Sequence, residues 1–126
     1  MLAIGDPHFR PDNALATEEF TRKILQLIVD RDPEFVVVLG DVLHTHEKLH
    51  SLVMNQAVDF LDKVRKLKKT FVLVGNHDMS SNTQFLNDNH WMNAIKGKDN
   101  LTIVDRVVKY REYVFCPYVY PGRLQE

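Results

Sequence analysis

The chain alternates short apolar runs with longer stretches in which apolar residues recur at helical spacing. The short runs are residues 2–4, 35–39 and 71–74. Each is rich in β-branched or large apolar residues, which is typical of strands that helices cover on both faces. Strands that alternate with helices in this way indicate βαβ units around a mostly parallel sheet. The sequence therefore predicts an α/β fold.

Two amphipathic stretches supply the predicted helices. The first contains Phe20, Ile24 and Ile28, each one helical turn from the next, with Thr17 as the predicted N-cap residue. The second runs from residue 49 to residue 67. With the three apolar runs, these helices predict a βαβαβ arrangement.

The pattern changes after Gly97. Three short apolar runs follow without intervening helices, at residues 101–104, 107–110 and 113–116. They predict a short β meander after the βαβαβ part. A length of 126 residues corresponds to one domain, and the chain ends soon after an apolar stretch. We therefore expect residues 1–126 to form a single, truncated domain.

Composition and charge exclude several classes of protein. Basic and acidic residues number 16 and 17, so a net charge of -1 creates no overall positive field for nucleic acid or anionic lipid. No apolar run reaches membrane-spanning length. The single cysteine, Cys116, fits a reducing compartment, and residues 1–10 lack the layout of a secretory signal. We expect a cytoplasmic protein with no membrane partner.

Each of the three predicted strands is followed by a glycine and a group of polar residues. The groups are Gly5-Asp6-Pro7-His8, Gly40-Asp41-Val42-Leu43-His44 and Gly75-Asn76-His77-Asp78. Since the carboxyl ends of parallel strands meet at one edge of a sheet, we expect these groups to converge. Four of the residues offer carboxylate, imidazole and amide donors suited to Mn²⁺, Fe or Zn²⁺: Asp6, His8, Asp41 and Asn76. A carboxylate such as Asp41 can bridge two ions, which stabilise the attacking and leaving oxygens of a phosphoryl displacement.

These groups resemble the opening motifs of the calcineurin-like metallophosphoesterases, which are D-x-H, G-D-x-x-[HD] and G-N-H-[DE] in that order. The resemblance implies the N-terminal βαβαβ part of the family's sandwich fold. It also implies hydrolysis of phosphoesters with two divalent metal ions, with Mn²⁺ expected first and Fe or Zn as alternatives. By the same resemblance, Asp6 and His8 hold the first ion, Asp41 bridges both, and Asn76 holds the second.

The resemblance assigns the remaining motif residues to the reaction itself. His77 would contact the phosphate and help the leaving group depart, and Asp78 would orient His77. His44 would contact the phosphate, or it would contact the metal ligands without binding the ions itself. A second motif that ends in histidine is similar to the nuclease branch that includes bacterial SbcD and viral relatives. That branch implies a DNA phosphodiester substrate and an ATPase partner subunit.

The chain also departs from the family pattern. The family completes its site with a lone histidine and a later G-H-x-H motif, whereas His90 is the only histidine here after His77. We therefore expect the missing C-terminal part to carry those ligands, and the isolated chain to bind divalent metal weakly with little activity. Two alternatives stay open: a nucleotide or small-molecule phosphoesterase, and an inactive module that binds metal or phosphate.

Three further features have simpler interpretations. His46-Glu47-Lys48-Leu49-His50 matches the zinc-peptidase motif H-E-x-x-H, but only His90 remains as a third ligand, so we interpret the match as accidental. His90-Trp91-Met92 is interpreted as core packing rather than a base-stacking platform. A basic cluster near the end of the second helix is interpreted as structural, because that end lies opposite the expected crevice. Its members are Lys63, Arg65, Lys66, Lys68 and Lys69.

Overall fold

Four parallel strands form the central sheet, in the order β1-β2-β3-β4. The computed structural model describes residues 1–5, 7, 14–42, 51–75, 78 and 90–118. Within them the strands of this sheet are β1 (Leu2–Ile4), β2 (Phe35–Val38), β3 (Lys69–Leu73) and β4 (Leu101–Val104), joined by the helices α1 (Ala14–Arg31) and α2 (Ser51–Leu67). A 3₁₀ helix, Trp91–Ile95, precedes β4, and a two-stranded antiparallel hairpin, β5 (Val108–Tyr110) and β6 (Tyr113–Phe115), follows it.

Both helices pack on the same face of the sheet. Side chains alternate between the two faces of a strand, so Val36 and Val38 of β2 point to the helices and lie in one core cluster with Ile28 of α1 and Phe60 of α2. All four are at most 1% exposed. Burial of each such side chain contributes roughly 1.5–3 kcal/mol of stability, which holds the helices against the strands.

The opposite face of the sheet is aromatic and is covered by the hairpin. Phe35, Val37 and Phe71 form a second cluster with Phe115 of β6. The Phe71 and Phe115 ring centroids lie 4.8 Å apart, and the Phe35 ring meets the Tyr110 ring edge-on at 5.2 Å. The sheet is therefore covered by helices on one side and by a β hairpin on the other.

The α/β fold class predicted from the sequence is confirmed, with two differences in detail. The first run of the predicted meander is the fourth parallel strand: Val72 of β3 pairs with Ile103 of β4. Only the other two runs pair with each other. Thr17 is not the N-cap of α1, because the helix begins at Ala14 and the threonine lies buried in its early part.

Several members of the basic cluster make contacts within the fold. Lys63 and Arg65 form ion pairs of 2.8 Å with Asp59 and Asp62 on α2 itself. Lys69 lies over the Tyr110 ring at 5.3 Å. Within the described ranges, no helix has both the length and the apolar character needed to cross a membrane.

Candidate active site

The carboxyl ends of β1, β2 and β3 lie side by side. Val38 pairs with both Ile4 and Val72, and the Leu39 amide donates a hydrogen bond to the Ile4 carbonyl at 2.8 Å. The residues that follow β2 and β3 must therefore share the same edge of the sheet. This is the edge at which open α/β sheets bind ligands.

Asp41 lies directly against Gly75. A Cβ atom placed on Gly75 would stand 2.3 Å from the Asp41 amide nitrogen and 2.4 Å from Asp41 Oδ1, so no side chain fits there. Gly40 has a positive φ of 107°, and a Cβ on it would lie 3.0 Å from the Gly75 backbone. Asp41 itself has a φ of 48°, in the left-handed region that aspartate tolerates better than most residues. The glycines thus bring the Asp41 carboxylate against the residue that precedes Asn76.

The buried Asp78 carboxylate forms hydrogen bonds to both the loop after β2 and the loop after β3. Its Oδ2 accepts hydrogen bonds from the Gly75 amide at 3.0 Å and from the Val42 amide at 3.4 Å, while Oδ1 accepts one from the Trp91 indole at 3.0 Å. Its own amide donates to the Gly75 carbonyl at 3.2 Å. Asp78 is only 3% exposed, and N–H donors of this kind offset the cost of burying a carboxylate.

A cavity of about 270 Å³ opens beside Asp41. Gly75 forms one part of its lining, and Cys116, Pro117 and Tyr118 form another. The Tyr118 amide donates to the Val74 carbonyl at 2.8 Å, which holds the segment after β6 at the end of β3. Asp41 and the aromatic residue Tyr118 therefore line the same cavity.

A third acidic group, Asp105, directly follows β4 at the same edge. His90 Nε2 lies 2.9 Å from Asp105 Oδ2, and Lys96 also binds that oxygen. Burial raises the pKa of Asp105, but the hydrogen bonds from Lys96 and His90 outweigh it and hold the pKa below its ordinary value. The His90 side chain is fully buried in this contact.

Of the seven predicted site residues, the structure describes Asp41 and Asp78. The others lie outside the described residues: Asp6, His8, His44, Asn76 and His77. His46 and His50 of the H-E-x-x-H match also lie outside them. The convergence of the four predicted metal ligands and the orienting of His77 by Asp78 therefore stay predictions.

The residues at this edge fit a divalent cation by their chemistry. Among the described residues no group of three or more His, Cys, Asp or Glu could hold a metal ion by itself. The Asp41 carboxylate is nevertheless a suitable donor, and its contact with Gly75 brings it to the loop that continues into Asn76.

The three sequence motifs do not include two residues that the structure adds to this edge, Trp91 and Asp105. Core packing accounts for the carbon atoms of Trp91 but not for its bond to Asp78. Asp105 carried a signal, because an acidic residue directly after a strand is the pattern that identified Asp6 and Asp41. The bond between Trp91 and Asp78 had no counterpart in local sequence.

Comparisons with known proteins show which family the chain is similar to. The profile of the calcineurin-like phosphoesterase family matches residues 1–122. "Putative phosphoesterase 078R" of Invertebrate iridescent virus 3 is 51% identical across the whole chain, which covers 38% of that protein. "Putative phosphoesterase 244L" of Invertebrate iridescent virus 6 is 45% identical, again across the whole chain, which covers 46% of that protein. The chain thus spans less than half the length of both relatives.

The fold is also similar to a solved structure. The nuclease MPE of Pseudomonas putida superimposes on 87% of this chain with a TM-score of 0.57 and 20% sequence identity, and the match covers 50% of the nuclease. This likeness concerns the fold. The family profile, which matches nearly the whole chain, leads to one conclusion: the chain belongs to the calcineurin-like phosphoesterase family.

Proposed function

We propose that the protein is a metal-dependent phosphodiesterase of the nuclease type that acts at the edge where the loops after β2 and β3 meet. The contact between Asp41 and Gly75 carries the proposal, because it joins the second family motif to the third. Two divalent ions, with Mn²⁺ first, would supply positive charge that stabilises the attacking and leaving oxygens of the phosphate.

The chain's own residues divide the work around those ions. Asp6 and His8 would hold the first ion, Asp41 would lie between both, and Asn76 would hold the second. His77 would contact the phosphate and give a proton to the departing oxygen. His44 would contact the phosphate or support the ligands, and Asp78 would keep His77 and the loops in place.

A DNA phosphodiester is the proposed substrate. Three observations support it: the second motif ends in His44 as in the nuclease branch, the fold is similar to a nuclease, and the cavity beside Asp41 includes the aromatic Tyr118. Aromatic rings stack on bases of any sequence. With a net charge of -1, attraction for the phosphate would come from the bound ions rather than from the whole chain.

The partner and the compartment are proposed on other grounds. The nuclease-branch resemblance implies an ATPase subunit, which is tested by asking whether an ATPase copurifies and makes cleavage depend on ATP.

The exposed thiol of Cys116 suits a reducing cytoplasm. Localisation of a tagged protein to an oxidising compartment would contradict that part.

Two variants separate metal binding from chemistry. In the full-length protein we expect Asp41→Asn to lose Mn²⁺ affinity and activity together, each by about a hundredfold or more. Even residues that only hydrogen-bond to metal ligands contribute about 10- to 100-fold to metal affinity or activity, and a ligand itself should contribute at least as much. His77→Asn should keep the metal and lose turnover. The control is Asp30→Asn, the same change on α1, where the carboxylate accepts a hydrogen bond from the exposed Gln26 side chain at 2.9 Å.

The measurements are metal analysis, calorimetric titration with Mn²⁺, and turnover of three substrates: a DNA oligonucleotide, bis-p-nitrophenyl phosphate and a nucleoside monophosphate. Equal metal loss in both variants would show that the roles are wrongly assigned. Turnover of the monophosphate alone would favour the small-molecule phosphoesterase. Metal binding with no turnover would favour the inactive module.

A further inference from the structure

Trp91 makes a polar contact that core packing does not require. Trp91 is 7% exposed and belongs to the main core cluster, beside Met92 and Ile95 of the same 3₁₀ helix. Its indole N–H nevertheless points at Asp78 Oδ1, with a nitrogen-to-oxygen distance of 3.0 Å. The ring thus has two functions, since its carbon atoms fill the core and its nitrogen binds a buried carboxylate.

The two oxygens of Asp78 face different parts of the molecule. Oδ1 meets Trp91, and Oδ2 meets the amides of Gly75 and Val42. The indole hydrogen bond therefore restricts rotation of the carboxylate and keeps Oδ2 aimed at the two amides. Hydrogen bonds in one buried network polarise one another, so the loss of one weakens the others.

The two amides belong to the loops that carry the proposed metal donors. Val42 directly follows Asp41, and Gly75 directly precedes Asn76. The chain of contacts runs from Trp91 through Asp78 to both loops and ends at the place where Asp41 touches Gly75.

Trp91 is itself held firmly at this edge of the sheet. His90, the preceding residue, binds Asp105 at 2.9 Å, and Lys96, the residue after the 3₁₀ helix, binds the same carboxylate. Asp105 follows β4 directly, so both ends of the short helix are attached to the sheet. A donor on such a rigid support can hold the site geometry.

We propose that Trp91 is a positioning residue of the metal centre: its indole N–H sets the Asp78 carboxylate, which in turn holds the backbone amides of Val42 and Gly75, the residues next to the proposed donors Asp41 and Asn76. The inference rests on the proposed function. Groups that orient metal ligands through hydrogen bonds contribute about 10- to 100-fold to metal affinity or activity.

The test replaces only the hydrogen-bond donor. In the full-length protein, Trp91 is exchanged for 3-benzothienylalanine, which has sulfur in place of the indole N–H and nearly the same shape. Trp91→Phe is the second variant. The matched control is Ile95→Ala, which removes core volume from the same helix at the same 7% exposure and leaves the bond to Asp78 intact.

Mn²⁺ affinity is measured by calorimetry at a temperature at which circular dichroism shows every variant folded. We expect affinity to fall about tenfold in the benzothienyl variant and in Trp91→Phe. In turnover of bis-p-nitrophenyl phosphate, kcat should fall while KM changes little. Exchange of the Val42 and Gly75 amide hydrogens in the metal-free protein should be faster. Ile95→Ala should lower the midpoint of thermal unfolding without these three effects.

Several outcomes would overturn the positioning role alone: wild-type affinity and exchange in the benzothienyl variant, equal loss of affinity in Ile95→Ala, or failure of both Trp91 variants to fold. Absence of Mn²⁺ binding and turnover in the wild-type protein would overturn the proposed function, and this inference with it. An active wild type with an unaffected benzothienyl variant therefore separates the two failures.

Discussion

At the scale of the residue, the site depends on the absence of a side chain at Gly75. The backbone nitrogen and the carboxylate of Asp41 occupy the space that a Cβ would need. A clash with backbone cannot be relieved by rotation of a flexible side chain, so one of the two loops would have to move. The position of the carboxylate is therefore determined by a glycine in another loop.

We expect Gly75→Ala to displace Asp41 by a substantial fraction of an ångström and to reduce phosphodiesterase activity about a hundredfold, because a misplacement of about 1 Å costs on that order. Overpacking should also lower the free energy of unfolding by about 1–3 kcal/mol. The control is Gly5→Ala, since no atom of the described residues other than its chain neighbours lies within 4 Å of a Cβ at Gly5. Full activity of Gly75→Ala would mean that the contact with Asp41 does not set the site.

At the scale of the element, the hairpin closes the aromatic face of the sheet. Phe115 of β6 is 6% exposed against Phe71, while the neighbouring Val114 is 62% exposed on the other side of the same strand. The period of two in a strand separates a core residue from a surface residue at adjacent positions. The stability of the hairpin should therefore depend on alternate residues.

Phe115→Ala should lower the free energy of unfolding by about 3–5 kcal/mol, the usual cost of removing a buried aromatic ring. Val114→Ala on the same strand should change it by less than about 0.5 kcal/mol. Denaturant titration of both variants gives the comparison. Similar losses would show that the hairpin does not pack on the sheet as described.

Asp105, directly after β4, should make the free energy of unfolding depend on pH. The folded pKa of Asp105 lies below its ordinary value of 3.8, so its contribution is fully present above that value and is lost as pH falls through the folded pKa. In Asp105→Asn this acid-dependent loss should be smaller. Asp99→Asn, the same change at an exposed position, is the control. Identical acid unfolding curves for Asp105→Asn and wild type would contradict the assignment.

At the scale of the whole molecule, the two faces of the sheet are covered differently, and the proposed site lies at a third place, the carboxyl edge. Asp41, Asp78 and Asp105 lie beyond the ends of β2, β3 and β4, respectively. The family pattern requires further histidines, and within residues 1–126 only His90 follows the third motif. The proposed two-ion site would therefore need donors from outside residues 1–126.

A chain limited to residues 1–126 should therefore bind Mn²⁺ weakly and show little or no phosphoesterase activity. Asp41 and Asn76 alone would supply two donors to the second ion, whereas such ions usually take four to six. Exposed apolar side chains at Leu39, Val107 and Val114 should also favour self-association. Calorimetry, a phosphodiester assay and light scattering test this; tight binding of two ions with robust turnover would refute it.

The sequence alone determined the elements and the family. Strands and helices follow from periodicity over a few neighbouring residues, and β2 and α2 lie within two residues of their predicted bounds. The order of the three motifs predicted the calcineurin-like family, because each motif is a short local pattern. That the motifs follow adjacent strand ends also predicted one shared edge, and Asp41 meets Gly75 there.

Only the tertiary structure decided which distant groups touch. The pairing of β4 with β3, the exclusion of a side chain at Gly75 by Asp41, and the bond from Trp91 to Asp78 all join residues from separate elements or loops. Local patterns cannot encode such contacts, because partners across a sheet or behind a loop are selected by packing of the whole core. The reason is physical: propensity acts along the chain, whereas burial and hydrogen bonding of buried groups act through space.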